Sequence, residues 1–161
     1  MTNILIPTDF TAASLKMTEL FIRDASIRKC NIVLFHAFRL PLSPFDLLAA
    51  RTQDPACALV SEPFRQACKQ LKDAFPGRVG KIVIRCMTGD TPALFRNFID
   101  AHNIDLVYCP DTYRFAPVHP RSIDPCPLFK KCGIPVVRSA RKEAGAGFVE
   151  TVLQNIQMST A

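Results

Sequence analysis

Short continuous apolar runs alternate along the chain with longer segments that carry an apolar residue at every third or fourth position. Continuous apolar runs are typical of parallel strands that are buried on both faces. Apolar residues at helical spacing indicate helices with one buried face. The alternation predicts an α/β fold with a doubly wound, mainly parallel five-stranded sheet. The predicted strands are residues 4–6, 31–38, 79–86, 104–109 and 134–138.

Capping residues mark where two of the predicted helices begin. Thr11 or Ser14 can cap a first helix over residues 12–28, because their hydroxyl oxygens accept from free backbone N–H groups. Thr91 is the expected N-cap of a later helix, and Pro92 is its expected first residue. The residues of this later helix that we expect to face the core are Leu94, Phe95, Phe98 and Ile99.

Prolines and polar residues divide the remaining segments. Residues 39–55 are expected to form a loop excursion with a short helical piece at 45–50, and not a domain boundary. A helix over residues 56–75 is expected to bend at Pro63, since proline removes a backbone donor and crowds the preceding turn. A last short helix is expected over residues 125–132.

Length and composition indicate one globular domain. The chain has 161 residues, of which 48% are hydrophobic and 21% charged, and both shares are ordinary for a packed domain. We expect a domain over residues 1–140 and a tail over 141–161. The N-terminus has no basic segment and no apolar stretch reaches the length of a membrane span. The expected location is therefore the cytoplasm, without contact to a membrane.

The net charge of +6 does not by itself indicate nucleic-acid binding. The basic residues are scattered in pairs, such as Arg28-Lys29 and Lys130-Lys131, and form no long run. The sequence also has no aromatic-rich RNA motif and no clear helix-turn-helix pattern. We expect a solvated basic surface, with nucleic acid an unlikely partner.

The seven cysteines are expected to be free thiols. Their number is odd and none forms a Cys-x-x-Cys pair, which argues against a disulfide framework and against a zinc site. Buried free cysteine packs as a small apolar residue. Cys30, Cys86 and Cys109 lie at or inside predicted strands and Cys68 on a helical stripe, whereas Cys126 and Cys132 flank a short helix where exposure is possible.

The sequence shows no pairing of a nucleophile with a base. Ser14 and Ser122 have no histidine at a telling spacing, and Cys109 lacks a motif. His36 lies inside an apolar strand and is expected to be a core histidine with satisfied hydrogen bonds. We therefore expect no catalytic residues, no metal and no enzymatic activity.

Residues 3–14, with Pro7-Thr8-Asp9-Phe10 after a short apolar run, resemble the first strand and turn of the universal stress protein family. The resemblance covers about residues 3–138. It implies the strand order 3-2-1-4-5 of an adenine nucleotide alpha hydrolase-like fold, with a crevice between strands one and four. The other matching pieces are Leu34-Phe35-His36, the Gly89 turn, Asp105-Leu106-Val107 and Ile134-Pro135-Val136-Val137.

The phosphate-binding motif of the ATP-binding family members is absent. In those members the fourth strand leads into Gly-x2-Gly-x9-Gly-Ser/Thr, where glycines let backbone N–H groups approach the phosphates. Here Pro110 takes the first glycine position, Tyr113 the second, and Ser122 or Ile123 the third. Pro110 has no N–H to donate, and Asp111 adds a negative charge where a triphosphate would lie.

The loop 110–125 nevertheless carries basic groups that can bind an anion through side chains, although a solvated loop stiffened by prolines is the more favoured interpretation. The resemblance implies that an aspartate at the position of Asp9 helps to hold adenosine, and that backbone near Ala37-Phe38 also contributes. Asp9 can equally accept hydrogen bonds from its own turn and cap the first helix. The tentative ligand-binding residues are Asp9, Ala37, Phe38, Arg114, His119, Arg121 and Ser122.

Two functions remain open from the sequence. The first is a regulatory or scaffolding module with a degenerate ATP site, without cofactor, which acts through dimerisation and contacts with unknown protein partners. The alternative is a small-ligand module that still binds ATP weakly, or another anion, at the carboxyl ends of strands one and four. The resemblance implies a homodimer paired through the fifth strand. Residues 148–158 carry an apolar face at helical spacing, which we expect to lie across the partner or the dimer seam.

Overall fold

The computed structural model describes residues 1–26, 28–52 and 59–138 of the chain. Their strands form one sheet in the order β3-β2-β1-β4-β5, and every neighbouring pair is parallel. This confirms the predicted doubly wound α/β fold and its strand order. The strands are β1 (Thr2–Pro7), β2 (Cys30–Phe38), β3 (Val79–Thr88), β4 (Leu106–Tyr108) and β5 (Val136–Val137).

Strand β1 lies at the centre of the sheet. Ile4 is opposite Ile32 of β2 on one side and opposite Leu106 of β4 on the other. Because all strands run the same way, their carboxyl ends meet at one edge of the sheet, which is where open α/β sheets bind ligands. Asp9 follows β1 directly, so it lies at this edge beside the central strand.

The helices cover both faces of the sheet, as predicted. Helices α1 and α3 pack on one face and α4 and α5 on the other, each pair closing its own apolar cluster. Phe21 of α1 and Phe64 of α3 are buried in the first cluster, and Phe95 of α4 and Phe129 of α5 in the second. The helices are α1 (Ala12–Asp24), α2 (Pro44–Thr52), α3 (Glu62–Ala74), α4 (Pro92–Ala101) and α5 (Cys126–Phe129).

Helix α3 is shorter than predicted, and it is not bent at Pro63. It begins at Glu62 with Ser61 as N-cap, whose side chain accepts from the Phe64 N–H, so Pro63 lies in the first turn. Proline is tolerated there because the N–H it lacks has no partner within the helix anyway. The predicted start of this helix at residues 56–58 lies outside the described residues.

The N-caps of α1 and α4 agree with those predicted from the sequence. One residue of α4 that was predicted to face the core is exposed instead. Of the two candidates for α1, Thr11 is the N-cap and accepts from the Ser14 N–H, and Thr91 caps α4 as expected. The prediction that Leu94 faces the core is wrong, because its side chain is 37% exposed. It packs instead over Gly89 in the turn after β3.

A cluster of exposed apolar side chains follows β2 at the carboxyl edge. Leu42 is 94% exposed and Phe45 is 81% exposed, and Leu40, Leu47 and Leu48 are also exposed. The short helix predicted at 45–50 is confirmed as part of α2. No helix in the described part of the chain is long and apolar enough to cross a membrane. The tail 141–161, with the helix predicted at 148–158, lies outside the described residues, as does Cys57.

Candidate functional site

The seven residues predicted to bind a ligand all lie near the carboxyl edge of the sheet, but in two separate groups. Asp9 and Arg114 line one cavity between α1 and the start of the loop after β4. The second group lies at the end of β2, where the loop 110–125 returns to the sheet. Its members are Ala37, Phe38, His119, Arg121 and Ser122.

The Asp9 carboxylate accepts hydrogen bonds from its own turn. Its Oδ1 accepts from the Thr11 backbone N–H at 3.0 Å and also from the Thr11 hydroxyl. These bonds hold Thr11 where its own oxygen accepts from the Ser14 N–H, 3.4 Å away. Asp9 therefore stabilises the start of α1 through Thr11, which is the helix cap, and does not cap the helix itself.

The cavity beside Asp9 has a volume of about 370 Å³. Besides Asp9 and Arg114 it is lined by Lys16 of α1 and by Pro110 and Tyr113 of the loop. A carboxylate, an ammonium group and a guanidinium group thus surround one space. Such a space is able to accept a small polar ligand with both donors and acceptors.

Arg114 is partly committed to the loop. Its Nη1 donates to the carbonyl oxygens of Asp111, at 2.8 Å, and of Tyr113, at 3.0 Å. Tyr113 is half-buried, and burial, the main cause, raises the pKa of its phenol. Pro110 is buried at the end of β4. Pro110 and Tyr113 thus place a ring each beside the cavity.

The returning part of the loop pairs with the end of β2. Ser122 and Phe38 form an antiparallel bridge. The Ile123 N–H donates to the Ala37 carbonyl at 3.0 Å, and the Arg39 N–H donates to the Arg121 carbonyl at 2.6 Å. The Phe38 carbonyl accepts from the Gly89 N–H at 2.7 Å. The carbonyl groups of Ala37 and Phe38 are thus bonded to protein backbone.

His36 connects three segments of this edge. Its Nδ1 lies 2.7 Å from the Thr8 carbonyl oxygen, and its Nε2 lies 2.8 Å from the Ser122 hydroxyl. A carbonyl oxygen only accepts, so Nδ1 carries the proton and donates to Thr8, and the neutral ring accepts at Nε2 from Ser122. The ring also packs between Phe10 and Phe38, with centroid distances of 5.0 and 4.7 Å. The expected satisfied core histidine is confirmed.

Sequence spacing pairs no serine with a histidine, but the fold brings Ser122 to His36 across 86 positions of sequence. Burial, the largest effect, lowers the pKa of His36, against the opposing effects of the Thr8 hydrogen bond and the Asp9 charge. A neutral imidazole that accepts from a serine hydroxyl has the form of a base with a nucleophile. Ser122, however, is not among the residues that line the cavity beside Asp9.

His119 and Arg121 are held by local contacts at the end of β2. His119 Nδ1 accepts from the Arg121 N–H at 3.1 Å, and its ring lies edge-on to Phe38 with centroids 5.6 Å apart. The Arg121 guanidinium lies 3.5 Å from the Arg39 carbonyl oxygen. The two side chains therefore do not join Asp9 and Arg114 around one ligand.

Two cysteines meet at the base of the loop. The Sγ atoms of Cys109 and Cys126 are 3.8 Å apart. Cys109 is buried and Cys126 is partly exposed, whereas Cys132 is buried, contrary to the possibility of exposure. In the described part of the chain no group of three or more His, Cys, Asp or Glu side chains is placed to hold a metal ion.

Neither a protein-family model nor a curated protein sequence matches the chain. Solved structures do match it. The hypothetical protein PH0823 has a TM-score of 0.56 and 14% identity, with 89% of this chain and 99% of that protein covered. Universal stress protein UspA from Lactobacillus plantarum has a TM-score of 0.55 and 16% identity, with 85% and 96% covered. The chain has the universal stress protein fold.

A third match agrees with this result. The hypothetical protein MJ0577 has a TM-score of 0.56 and 12% identity, with 89% of this chain and 98% of that protein covered. The resemblance read from Pro7-Thr8-Asp9-Phe10 is thereby confirmed at the level of the fold. At such low identity the likeness to universal stress proteins concerns the fold alone, and it assigns no ligand to this chain.

Proposed function

We propose that the chain is a universal stress protein-like regulatory or scaffolding module, without enzymatic activity, whose nucleotide site is degenerate and which acts through dimerisation and protein contacts. The observation that carries the proposal is the pairing of the loop 110–125 with the end of β2. The loop bonds to the backbone near Ala37-Phe38, which the family resemblance implies would contact the nucleotide.

The chemistry of the loop supports the loss of phosphate binding. Pro110 has no N–H to donate and is buried, and Tyr113 places a ring where a glycine would leave the backbone open. Asp111 is exposed beside them and repels phosphate. Binding the adenosine part of a nucleotide at the end of β2 would require the loop to release its bonds to Ala37 and Arg39, and that cost lowers the affinity.

Action through protein contacts is supported by the apolar surface on and before α2. Leu42 and Phe45 are almost fully exposed, with Leu40 and Leu48 beside them in sequence. Soluble monomers rarely expose several large apolar side chains together unless a partner covers them. The His36–Ser122 pair has a structural role in this proposal, because it ties the loop to β1 and β2.

The cavity beside Asp9 favours a second candidate, a module that binds an adenine nucleotide or another small anion. The space of about 370 Å³ is lined by two cationic side chains, Lys16 and Arg114. These groups can bind an anion without backbone donors. In the first candidate the cavity binds no nucleotide, whereas in the second it binds an adenine nucleotide or another small anion.

Calorimetry and thermal unfolding with Mg-ATP separate the two candidates. We expect the purified protein to carry no ATP by mass spectrometry and to bind it with a Kd above millimolar. At 1 mM Mg-ATP the gain in unfolding free energy is then below about 0.4 kcal/mol, whereas a ligand at 100 times its Kd would give about 2.7 kcal/mol. Co-purified nucleotide or micromolar binding would overturn the first candidate.

Variants locate any binding that is found. Arg114→Ala removes a cation that lines the cavity, and Arg121→Ala is the matched control because Arg121 is not among the cavity residues. Asp9→Asn removes the charge of Asp9 but keeps an oxygen that can accept from Thr11. Weaker ATP binding in Arg114→Ala, but not in Arg121→Ala, would support the second candidate, and weaker ATP binding in Asp9→Asn would show that Asp9 holds the adenosine part, because removing its charge does not oppose the binding of a simple anion.

A further inference from the structure

Cys109 and Cys126 stand at the two ends of the loop that closes the candidate site. Cys109 follows β4 and is 1% exposed, and Cys126 is the first residue of α5 and is partly exposed. Their sulfur atoms are 3.8 Å apart, which is van der Waals contact. The pair is separated by 17 positions in sequence, so no Cys-x-x-Cys spacing reveals it.

We propose that Cys109 and Cys126 are an oxidisable dithiol, which a low-molecular-weight disulfide such as glutathione disulfide converts reversibly into an intramolecular disulfide. The bond would join the ends of the loop 110–125 and hold Tyr113 over the crevice. The pair is then a covalent modification site of the chain, independent of whether a nucleotide binds.

The geometry requires only a small displacement. A disulfide bond is about 2.05 Å long, so the two sulfur atoms must approach by roughly 1.8 Å. Cys109 is held to the sheet, since its N–H donates to the Val137 carbonyl at 3.0 Å. Cys126 lies in a helix of four residues that begins after Pro125 and can shift with the loop. The movement is therefore assigned to Cys126.

Three of the other described cysteines are buried, and Cys86 lies on β3. Cys30 and Cys68 are buried on the opposite face of the sheet, in the cluster under α1 and α3. The Cys132 thiol donates to the Ile134 carbonyl at 3.3 Å. Cys126, by contrast, is partly exposed and has a second sulfur in contact, which gives an incoming reagent both an accessible thiol and a resolving thiol.

The reaction is balanced as two thiol–disulfide exchanges. The Cys126 thiolate attacks one sulfur of glutathione disulfide, which forms a mixed disulfide on Cys126 and releases one glutathione thiolate. The Cys109 thiolate then attacks the Cys126 sulfur, and the second glutathione thiolate leaves. Each leaving thiolate takes up a proton, one for each proton lost from the two cysteines. The protein is oxidised by two electrons and glutathione disulfide is reduced.

The surroundings of the pair make the reaction slow at neutral pH. Burial, the largest cause, raises the pKa of Cys126 to about 12, and Cys109 and Asp124 add to it. Burial also raises the pKa of Cys109, while Arg138 lowers it and Asp111 raises it. Only the thiolate attacks, so below these pKa values the oxidation rate should rise about tenfold per pH unit.

The test uses the full chain equilibrated in glutathione redox buffers, alkylated, digested with trypsin and analysed by mass spectrometry. Cleavage after Arg96, Arg114, Arg121 and Lys130 places Cys109 and Cys126 on separate peptides. We expect one cross-linked pair of these peptides, with the loss of two hydrogen atoms, and a higher melting temperature of the oxidised protein.

The variants assign each step. Cys109→Ser should stop at a mixed disulfide on Cys126, and Cys126→Ser should leave Cys109 reduced. Cys132→Ser, a nearby buried cysteine, is the matched control and should form the 109–126 bond as the unmodified chain does. Should Cys109→Ser fail to fold, the partly exposed Cys126→Ser still tests the assignment. A disulfide between other cysteines, a bond between two chains, or no bond at oxidising potentials would overturn the proposal.

Discussion

His36 of β2 links the segment after β1 to the loop 110–125 at the carboxyl edge of the sheet. One ring nitrogen bonds to the Thr8 carbonyl after β1 and the other to Ser122 in the loop, and the ring itself is only 4% exposed. Each nitrogen has one partner, which matches the one donor and one acceptor of the neutral ring. Protonation would leave Nε2–H facing the Ser122 hydroxyl and would place a charge in an apolar setting.

The burial of neutral His36 predicts a pH dependence of stability. Its pKa is lowered in the folded state, so below about pH 6.5 the unfolded chain binds a proton that the folded chain does not. The stabilisation is therefore complete above pH 6.5 and is lost as the pH falls toward the folded pKa, by up to about 1.4 kcal/mol per pH unit. Urea unfolding between pH 7.5 and 5 measures this loss.

The variant His36→Gln isolates the effect, because glutamine keeps a donor and an acceptor but does not titrate. We expect its unfolding free energy to fall less between pH 7.5 and 5 than that of the unmodified chain. His102→Gln is a comparison and not a silent control: His102 lies at the end of α4, away from the carboxyl edge, but burial also lowers its pKa, so its substitution should remove a separate share of the pH dependence while the His36 contacts stay intact. Equal pH slopes in the His36 variant and the unmodified chain would contradict the prediction.

At this scale the sequence predicted local contacts and missed distant ones. The caps Thr11 and Thr91 bond to residues three positions away, so they can be predicted from the neighbouring sequence. Ser122 reaches His36 across 86 positions, and Cys109 reaches Cys126 only because the loop returns to the sheet. Such contacts depend on the path of the whole loop, which no short motif specifies.

The turn after β3 is closely packed around its glycine. Gly89 has φ +129°, and a Cβ placed on it would lie 2.3 Å from Leu94 Cδ2. Its N–H also donates to the Phe38 carbonyl. This position needs glycine for its backbone conformation, and an added Cβ would also displace the terminal methyl of Leu94, a residue that is 37% exposed.

Gly89→Ala should therefore destabilise the protein by about 1–3 kcal/mol, from backbone strain and the displacement of Leu94. Gly77→Ala is the matched control, because Gly77 also has positive φ but no atom within 4 Å of the added Cβ. We expect the control to cost less, about 1 kcal/mol or below. Denaturant unfolding of both variants measures the difference, and equal losses would show that Leu94 does not constrain the turn.

The lengths of elements were harder to predict than their order. Helix α1 ends at Asp24, four positions before its predicted end at 28, and β4 has three residues where 104–109 were expected. Apolar periodicity continues past the hydrogen-bonded ends of these elements, since turn residues such as Ile104 are also buried. The bend predicted at Pro63 assumed one helix over residues 56–75. The helix begins only after its cap Ser61, so Pro63 lies in the first turn.

For the whole molecule, the alternation of apolar runs and periodic segments was enough to predict a parallel sheet covered on both faces. The order of the strands came from the resemblance, because pattern alone does not specify which strands are neighbours. The path of the loop 110–125 could not be predicted, since absent glycines do not specify where a loop packs. In the structure Tyr113 packs against the second apolar cluster, and Arg121 and Ile123 bond to the backbone of Arg39 and Ala37 at the end of β2.

The oligomeric state of the whole molecule can be predicted from its edge strand β5. In the described part of the chain this strand has two residues, pairs with β4 and has no strand on its other side. An open apolar edge favours pairing with a second copy. We predict a homodimer in which the β5 strands pair, with the tail 141–161 across the partner or the dimer seam.

Light scattering at tens of micromolar should give about twice the chain mass of 17.9 kDa. Val136→Lys should shift the protein toward monomer, because a lysine on an edge strand opposes pairing. Thr88→Lys is the matched control, since Thr88 is an exposed residue of β3, the opposite edge strand. A monomer at this concentration in the unmodified chain would refute the dimer.

Deletion of residues 145–161 tests the place of the tail separately. If the apolar face at 148–158 lies across the seam, its removal exposes apolar surface on both copies and weakens the dimer. Another seat in the described part of the chain is a groove of about 800 Å³ between α1 and α3, lined by apolar residues that include Phe10, Leu71 and Phe75. A truncated chain that dimerises as well as the full one would refute the arrangement at the seam, and a lower unfolding temperature would then indicate that the tail packs on its own domain.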